Sequence, residues 1–171
     1  DYVDIEALNA YRALIRSGYS HQDAFTIVKT KARDNSRTPM QWDDSAQAGF
    51  TTGQPWLRPT NQATVNVARE LASGEIFNYY QQLIKLRKTM PIVADGGYQS
   101  WRLDDPQVFG YWRSYHQQKL LVLNNFYGQA TTVSLPPEMA KARVLLSNYQ
   151  NVTVTAQLTL QPYQSVALLL G

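Results

Sequence analysis

One short segment of this sequence carries the side chains best suited to chemistry. It runs from 33 to 43 and places six polar side chains among eleven positions: Arg33, Asp34, Asn35, Arg37, Gln41 and Asp43. Pro39, Met40 and Trp42 anchor the same stretch. A planar guanidinium can donate two parallel hydrogen bonds to a carboxylate or to vicinal hydroxyls. The segment therefore predicts either a polar fork with an aromatic platform that grips a sugar, or a salt-bridge network that pins a loop.

Pairs of carboxylates could carry out glycoside hydrolysis, which uses two of them on opposite sides of one bond. The adjacent acidic pairs are Asp43–Asp44 and Asp104–Asp105. Neighbouring residues normally point apart, and both pairs stand in turn-like contexts. We therefore expect turn or capping roles for these residues, and no catalytic residue in this chain.

Other site chemistries find little support in the sequence. His21 and His116 lack the spacing of metal ligands, so we expect a solvated first-turn residue and a turn residue. Phosphate-cradling glycine loops and nucleophile elbows are missing. Because the chain has no Cys, disulfides and thiolate metal sites are excluded. The sequence predicts no cofactor and no metal site.

Composition limits the possible partners. The net charge is +3, from 16 basic and 13 acidic residues that are scattered along 171 positions, so we expect no nucleic-acid partner. No apolar run approaches the roughly 20 residues that span a bilayer, so we expect no membrane partner. Hydrophobic residues make up 44%, which excludes a disordered polar chain. The first residue is Asp1 and no leader precedes it, so we expect a piece of a longer protein without a retained signal peptide.

Helical periodicity is confined to the first half of the chain. The spacing predicts one helix over 4–16, a second that Ser20 opens and that ends near Ala32, and a third over 75–89 that Ser73 caps. The stretch 33–66 is broken by Pro and Gly but carries bulky apolar side chains, which favours an ordered functional loop. The apolar faces of these helices call for a packing partner outside this chain.

A period of two begins after Gly97. It predicts seven strands with turn signals between them: 98–103, 108–115, 119–126, 131–135, 143–147, 153–160 and 165–170. Short strands in this arrangement indicate an antiparallel β-sandwich. Trp101 and Trp112 fall in strands, where packing against the other sheet is the expected role. The predicted class is α+β, with a domain boundary near 91–97 that divides the chain into 1–96 and 97–171.

Several stretches resemble known enzymes. Residues 1–9 resemble a segment of the α-glucosidases in the α-amylase superfamily. Residues 32–43, Ala-Arg-Asp-Asn-Ser-Arg-Thr-Pro-Met-Gln-Trp-Asp, and 48–56, Ala-Gly-Phe-Thr-Thr-Gly-Gln-Pro-Trp, are similar to two signature stretches of the oligo-1,6-glucosidase branch. That branch includes oligo-1,6-glucosidase, dextran glucosidase and trehalose-6-phosphate hydrolase. Residues 83–88 and 120–126 are similar as well.

The resemblance implies a C-terminal part of such an enzyme. This part is an α+β fragment with the last helices and long loop of a (β/α)8 barrel in 1–96, then a C-terminal antiparallel β-sandwich domain in 97–171. The family's nucleophile Asp, acid/base Glu and stabilising Asp would precede Asp1, so the chain alone is expected to be inactive. The residue that carries over is Arg33, expected to hold the terminal glucose in subsite −1, while Arg37 and Trp42 are expected to fix the loop.

The resemblance also implies an activity. We expect the parent protein to be a cytoplasmic, retaining, exo-acting α-glucosidase for isomalto-oligosaccharides or trehalose 6-phosphate. Its partners would be a small oligosaccharide substrate and the missing N-terminal barrel of the same polypeptide. Two alternatives stay open at this stage: a sucrose-isomerase-like transglycosylating relative, and a stand-alone carbohydrate-binding β-sandwich module.

Overall fold

The computed structural model of the protein describes residues 2–102 and 104–171. It divides into two compact units, Asp1–Phe77 and Asn78–Gly171, called here the first unit and the second unit. Across the described ranges, every helix is too short or too polar to cross a membrane.

Two amphipathic helices open the first unit. Helix α1 spans Ile5–Arg16, and Asp4 caps it by accepting a hydrogen bond from the Glu6 amide. Helix α2 spans His21–Lys29. The predicted cap on α2 is confirmed, because the Ser20 hydroxyl accepts from the Asp23 amide at 3.1 Å and donates to its carboxylate at 2.7 Å. These contacts satisfy donors that the first turn of a helix leaves free.

The predicted ordered loop follows a 3-10 turn at Arg33–Ser36. Residues 37–66, all of them described, form neither helix nor strand. One side chain holds much of this loop together. The Gln41 amide nitrogen donates to Asn61 Oδ1 at 2.8 Å and to the Val65 carbonyl at 2.7 Å, and its oxygen accepts from the amides of Thr60 and Asn61. These bonds account for the order of a segment without regular structure.

A helix that the sequence did not predict comes next. Helix α3 spans Val67–Ser73 and ends at Gly74, whose φ of 76° suits glycine. The predicted capping role of Ser73 is therefore wrong. Its hydroxyl lies inside α3 and donates to the Arg69 carbonyl. Helix α3 has only seven residues, which are too few to show a helical apolar period in the sequence.

Helix α4 spans Glu75–Thr89, as predicted, but its predicted buried stripe is exposed. None of its residues is buried, and Ile76, Tyr80 and Leu83 expose 66%, 62% and 40% of their surface. The apolar period of α4 is that of a packed helix, so the covering surface is not supplied by the described residues.

The second unit is an antiparallel β-sandwich, as predicted. The larger sheet has the order β1-β2-β3-β7-β5 and the smaller one pairs β4 with β6. The strands are β1 Gly97–Trp101, β2 Val108–Tyr115, β3 Gln118–Asn125, β4 Thr131–Ser134, β5 Arg143–Ser147, β6 Gln157–Leu160 and β7 Ser165–Leu170. Both sheets contribute to one core, for example Leu121 and Leu168 from one and Val133 and Leu160 from the other.

Most strand bounds lie within one residue of the predicted ones; the exceptions are the start of β6 and the end of β1. Strand β6 begins at Gln157 and not at Thr153, because the Thr155 hydroxyl bonds both the carbonyl and the amide of Gln157 and closes a turn there. The predicted end of the first strand, Leu103, lies outside the described residues. Trp101 and Trp112 pack against the sandwich core, as expected.

A short helix covers the other face of the larger sheet. Helix α5 spans Pro91–Ala94, and Ile92, which is fully buried, packs with Leu120 and Leu169. The Arg113 guanidinium donates to the carbonyls of α5, including that of Ile92 at 3.3 Å. The segment before 97 therefore packs with the strands. The predicted domain boundary after residue 96 is a different division from that between the two units, and it stays a prediction.

Candidate functional site

The structure brings Arg33 to two carboxylates near the start of α1. Arg33 Nη2 lies 3.3 Å from Asp4 Oδ1 and 3.0 Å from Glu6 Oε1. Arg33 Nε also points to Asp4 Oδ2, at 3.5 Å. The Asp4 side chain is 4% exposed, whereas that of Arg33 is 49% exposed. Arg33 therefore takes part in the salt-bridge network that the sequence predicted as one of two possibilities, while about half of its side chain is exposed to solvent.

The Asp4–Arg33 pair alters both ionisation equilibria. Burial of the Asp4 carboxyl favours its neutral form, but hydrogen bonds from Arg33 and from the Glu6 amide outweigh burial and hold the pKa of Asp4 below its ordinary value. The hydrogen bond to Asp4 and the nearby negative charges raise the pKa of Arg33. Both groups therefore carry their charges at neutral pH.

A second carboxylate, Asp34, ties the turn after α2 to the chain before α1. Asp34 Oδ2 accepts from the Val3 amide at 2.7 Å and from the Asp4 amide at 2.9 Å. The Asp34 residue is 4% exposed, and its other oxygen, Oδ1, has no hydrogen-bond partner. Asn35 extends the connection by donating to the Lys29 carbonyl and accepting from the Tyr2 hydroxyl. The Arg-Asp-Asn run is a crosslink between segments about 30 residues apart.

A cavity of about 650 Å³ opens beside Asp34 in the first unit. Its walls combine aromatic rings with polar side chains, among them Tyr2, Phe25, Asp34, Trp56 and Arg58. Rings next to hydrogen-bonding groups suit a ligand or a segment of chain that presents both apolar surface and donors.

Two other residues of the motif lie elsewhere. The exposed Arg37 side chain forms neither a hydrogen bond nor an ion pair with any residue in the described ranges. Trp42 fixes the loop through its backbone, because its amide donates to Ala48 at 2.8 Å and its carbonyl accepts from Ala68 at 3.0 Å. The Trp42 ring itself is 51% exposed.

The acidic pairs occupy turns, which confirms the prediction for them. Asp43 accepts from the Ser45 amide, and hydrogen bonds with Ser45 lower the pKa of Asp43. Burial of Asp105 tends to raise its pKa, but hydrogen bonds from two backbone amides and from Arg102 have the larger combined effect, so the pKa lies below its ordinary value.

The histidines also stand as expected. His21 lies in the first turn of α2, exposed, and shares a hydrogen bond of 2.7 Å with the Tyr11 hydroxyl. His116 sits in the turn between β2 and β3. Within 2–102 and 104–171, no three His, Asp or Glu side chains come together as metal ligands could.

The sequence pointed to Asp34 and Gln41 but not to their hydrogen-bond partners, and it did not point to Asp4 as a partner of Arg33. A weak signal existed for Asp4, which directly precedes an amphipathic helix. The partners of Asp34 and Gln41 are 19 to 31 residues away, and no local pattern encodes them.

Two family models match the chain. The model described as alpha amylase, catalytic domain, matches residues 7–96, more than half of the chain. The model described as the alpha-amylase SusG C-terminal domain matches residues 108–167. The chain thus combines part of an α-amylase catalytic domain with a C-terminal domain of antiparallel sheets.

Curated relatives fall in the predicted branch. A trehalose-6-phosphate hydrolase of Bacillus subtilis (strain 168) is 42% identical over 96% of this chain. An oligo-1,6-glucosidase of Halalkalibacterium halodurans is also 42% identical over 96% of the chain. In both cases the match covers 30% of the relative, so the chain spans less than a third of their length.

Solved structures agree with this assignment. The trehalose-6-phosphate hydrolase of Bacillus licheniformis superposes with a TM-score of 0.89 at 39% identity, over 98% of this chain and 32% of that one. A trehalulose synthase of Pseudomonas mesoacidophila MX-45 superposes with a TM-score of 0.85 at 34% identity, over 98% and 31%. Sequence and structure agree, and the chain belongs to the α-amylase family.

Proposed function

We propose that this chain is the C-terminal part of a retaining, exo-acting α-glucosidase that hydrolyses short oligosaccharides. The observation that carries the proposal is 42% identity over nearly the whole chain to both a trehalose-6-phosphate hydrolase and an oligo-1,6-glucosidase. The candidate substrates are therefore trehalose 6-phosphate and isomalto-oligosaccharides. We place the protein in the cytoplasm, where a chain without cysteine meets no need for disulfides.

The two parts of the chain have different tasks in this proposal. Residues 1–96 complete the catalytic barrel, and residues 97–171 form the C-terminal β domain. The ends of the matched models support this boundary, since one stops at 96 and the other starts at 108. The exposed apolar positions of α4, such as Ile76 and Leu83, would be covered by the N-terminal barrel of the same polypeptide.

The chemistry needs two carboxylates that the rest of the polypeptide would supply. A retaining glycosidase uses one as nucleophile and the other as acid and then base. In this chain the buried or bonded carboxylates already serve structure: Asp4 holds Arg33, Asp34 holds two amides, and Asp105 closes a turn. The chain alone is therefore proposed to be inactive.

Arg33 is the proposed substrate-binding residue. Asp4 and Glu6 engage Nε and Nη2, which fixes the plane of the guanidinium. The half-exposed side chain keeps further N–H donors for the hydroxyls of a terminal glucose. A fixed, charged donor loses little entropy when it binds a sugar hydroxyl, which favours this role.

The activity is tested on the complete polypeptide, with the 171-residue chain as control. Glucose release is measured from isomaltose and from trehalose 6-phosphate. We expect the complete polypeptide to prefer one substrate strongly, and we expect the 171-residue chain to release no glucose from either. Release from neither substrate would contradict the proposal, and so would release by the 171-residue chain.

The role of Arg33 is tested in the same polypeptide with Arg33→Lys. Lysine keeps the positive charge but loses the planar set of guanidinium N–H donors. We therefore expect KM to rise at least tenfold while the unfolding midpoint changes little. Arg12→Lys, at an exposed arginine of α1 outside the cavity, is the control. A loss of stability at unchanged KM would make Arg33 a structural residue only.

A transglycosylating enzyme is the second candidate, because a trehalulose synthase superposes over 98% of this chain. Sucrose is the diagnostic substrate. Formation of an isomeric disaccharide, in place of free glucose, would favour this candidate over the hydrolase.

A further inference from the structure

We propose that Asp34 receives a hydrogen-bond donor from the part of the polypeptide outside this chain, and that this contact seats the first unit on the rest of the enzyme. The inference rests on the proposed function, in which the chain is one part of a longer glucosidase. It adds a specific residue, a specific atom and the chemistry of the group that meets it.

The unpaired oxygen of Asp34 is the first observation. Oδ2 is saturated by the amides of Val3 and Asp4, at 2.7 and 2.9 Å. Oδ1 is closed off from solvent and has no partner, the one such buried side-chain atom among the described residues. Leaving a buried carboxylate oxygen without a donor is costly, and native proteins rarely keep such a group. The atom therefore indicates a donor that these residues do not supply.

The cavity beside Asp34 is the second observation. It holds about 650 Å³ and its walls include Tyr2, Phe25 and Trp56, of which Trp56 is 70% exposed. Exposed apolar surface at Trp56 and a buried Asp34 oxygen without a hydrogen-bond partner line the same cavity, which indicates that a further segment covers both. The occupant must bring apolar side chains together with an N–H or O–H donor.

A segment of the same polypeptide fits better than a diffusible sugar. Oδ1 offers almost no surface to solvent, so a ligand could reach it only after the walls had opened. A segment that folds together with the first unit meets no such barrier. The relatives are long enough to supply it, since the chain covers only 30% of their length.

The test compares Asp34→Asn in two contexts, the 171-residue chain and the complete polypeptide. Asparagine can keep its oxygen on the amides of Val3 and Asp4 and then places an NH₂ group where Oδ1 stood. In the complete polypeptide that NH₂ would meet a donor, so we expect the folding equilibrium constant to fall at least about tenfold. In the 171-residue chain a buried unpaired charge disappears, so we expect it to stay the same or rise.

Asp44→Asn is the matched control, because Asp44 is exposed and its loss changes the net charge equally. It should be neutral in both contexts. Equal effects of Asp34→Asn in both contexts would overturn the inference, whatever the activity of the enzyme. Saturable binding of maltose, isomaltose or trehalose to the 171-residue chain, followed by NMR at the Val3 and Asp4 amides, would overturn it as well by identifying a diffusible occupant.

Discussion

Different interactions stabilise the interior of each unit. The second unit buries one large cluster of aliphatic side chains, and Leu121 and Leu168 within it have no exposed surface. The buried cluster of α1 and α2 consists of small side chains: Ala7, Val28 and Ala32. Because apolar burial is the main source of folding free energy, we expect the second unit to draw more of its stability from its core than the first unit does.

Polar side chains link distant segments of the first unit. Asp34 and Gln41 each join segments at least 19 residues apart, through two and four hydrogen bonds. Hydrogen bonds exchange with water and add little net free energy each, but they fix geometry. The comparison teaches that the first unit combines such polar links with a small apolar cluster, whereas the second unit has a large apolar core.

The largest expected effect comes from the sandwich core. Leu168→Ala should lower the free energy of unfolding by about 2–5 kcal/mol, because the cavity cannot collapse between two sheets. Leu71→Ala in α3 should stay within about 0.5 kcal/mol, because Leu71 is 57% exposed. Urea unfolding of the 171-residue chain measures both. Similar losses for the two variants would break the contrast between the units.

A smaller effect is expected in the loop of the first unit. Gln41→Ala removes four hydrogen bonds, so we expect a loss of about 1–3 kcal/mol in the local free energy of opening. Amide hydrogen exchange over 37–66 is the measurement. Gln54→Ala, at an exposed position of the same loop, is the control. Unchanged exchange in the Gln41 variant would show that the loop is held by other contacts.

Acid should weaken both units through carboxylates whose folded-state pKa is lowered. Asp4 in the first unit and Asp105 in the second belong to this class. Each bonded carboxylate contributes stability that is present above its unfolded pKa of about 4 and is lost as pH falls through the lower folded value. Urea midpoints at pH 7 and pH 3 should therefore differ less in Asp4→Asn and Asp105→Asn than in the unaltered chain. An unchanged pH dependence in either variant would show that the substituted residue does not contribute to the loss of stability in acid.

The smallest expected effect is at a surface ion pair of the second unit. Lys119 Nζ lies 3.5 Å from Glu138 Oε1, and both side chains are about half exposed. Glu138→Gln should change the free energy of unfolding by less than about 1 kcal/mol, and by less still in high salt. Thermal unfolding at two salt concentrations checks this. A larger loss would mean that polar contacts stabilise the second unit as well.

The periodic elements could be read from the sequence. Helices α1, α2 and α4 and most strands stand where their apolar spacing predicted, because a packed helix or sandwich strand imposes that spacing. Helix α3 was missed because its seven residues are too few to show a helical apolar period. In the candidate site, the motif singled out Arg33 as the predicted substrate-binding residue, but it did not indicate the partners Asp4 and Glu6. Their contact joins residues 27 and 29 positions apart, a distance that only the folded chain closes.

The Gln41 amide has a consequence for how this loop can change in length. It closes the chain between position 41 and positions 60–65 with a single side chain. The entropic cost of closing a loop grows only with the logarithm of its length, by about 0.6 kcal/mol for each doubling. Insertions at exposed positions such as 52–54 would therefore leave the closure intact. A protein with this arrangement can acquire new loop sequences without rebuilding the base of the loop.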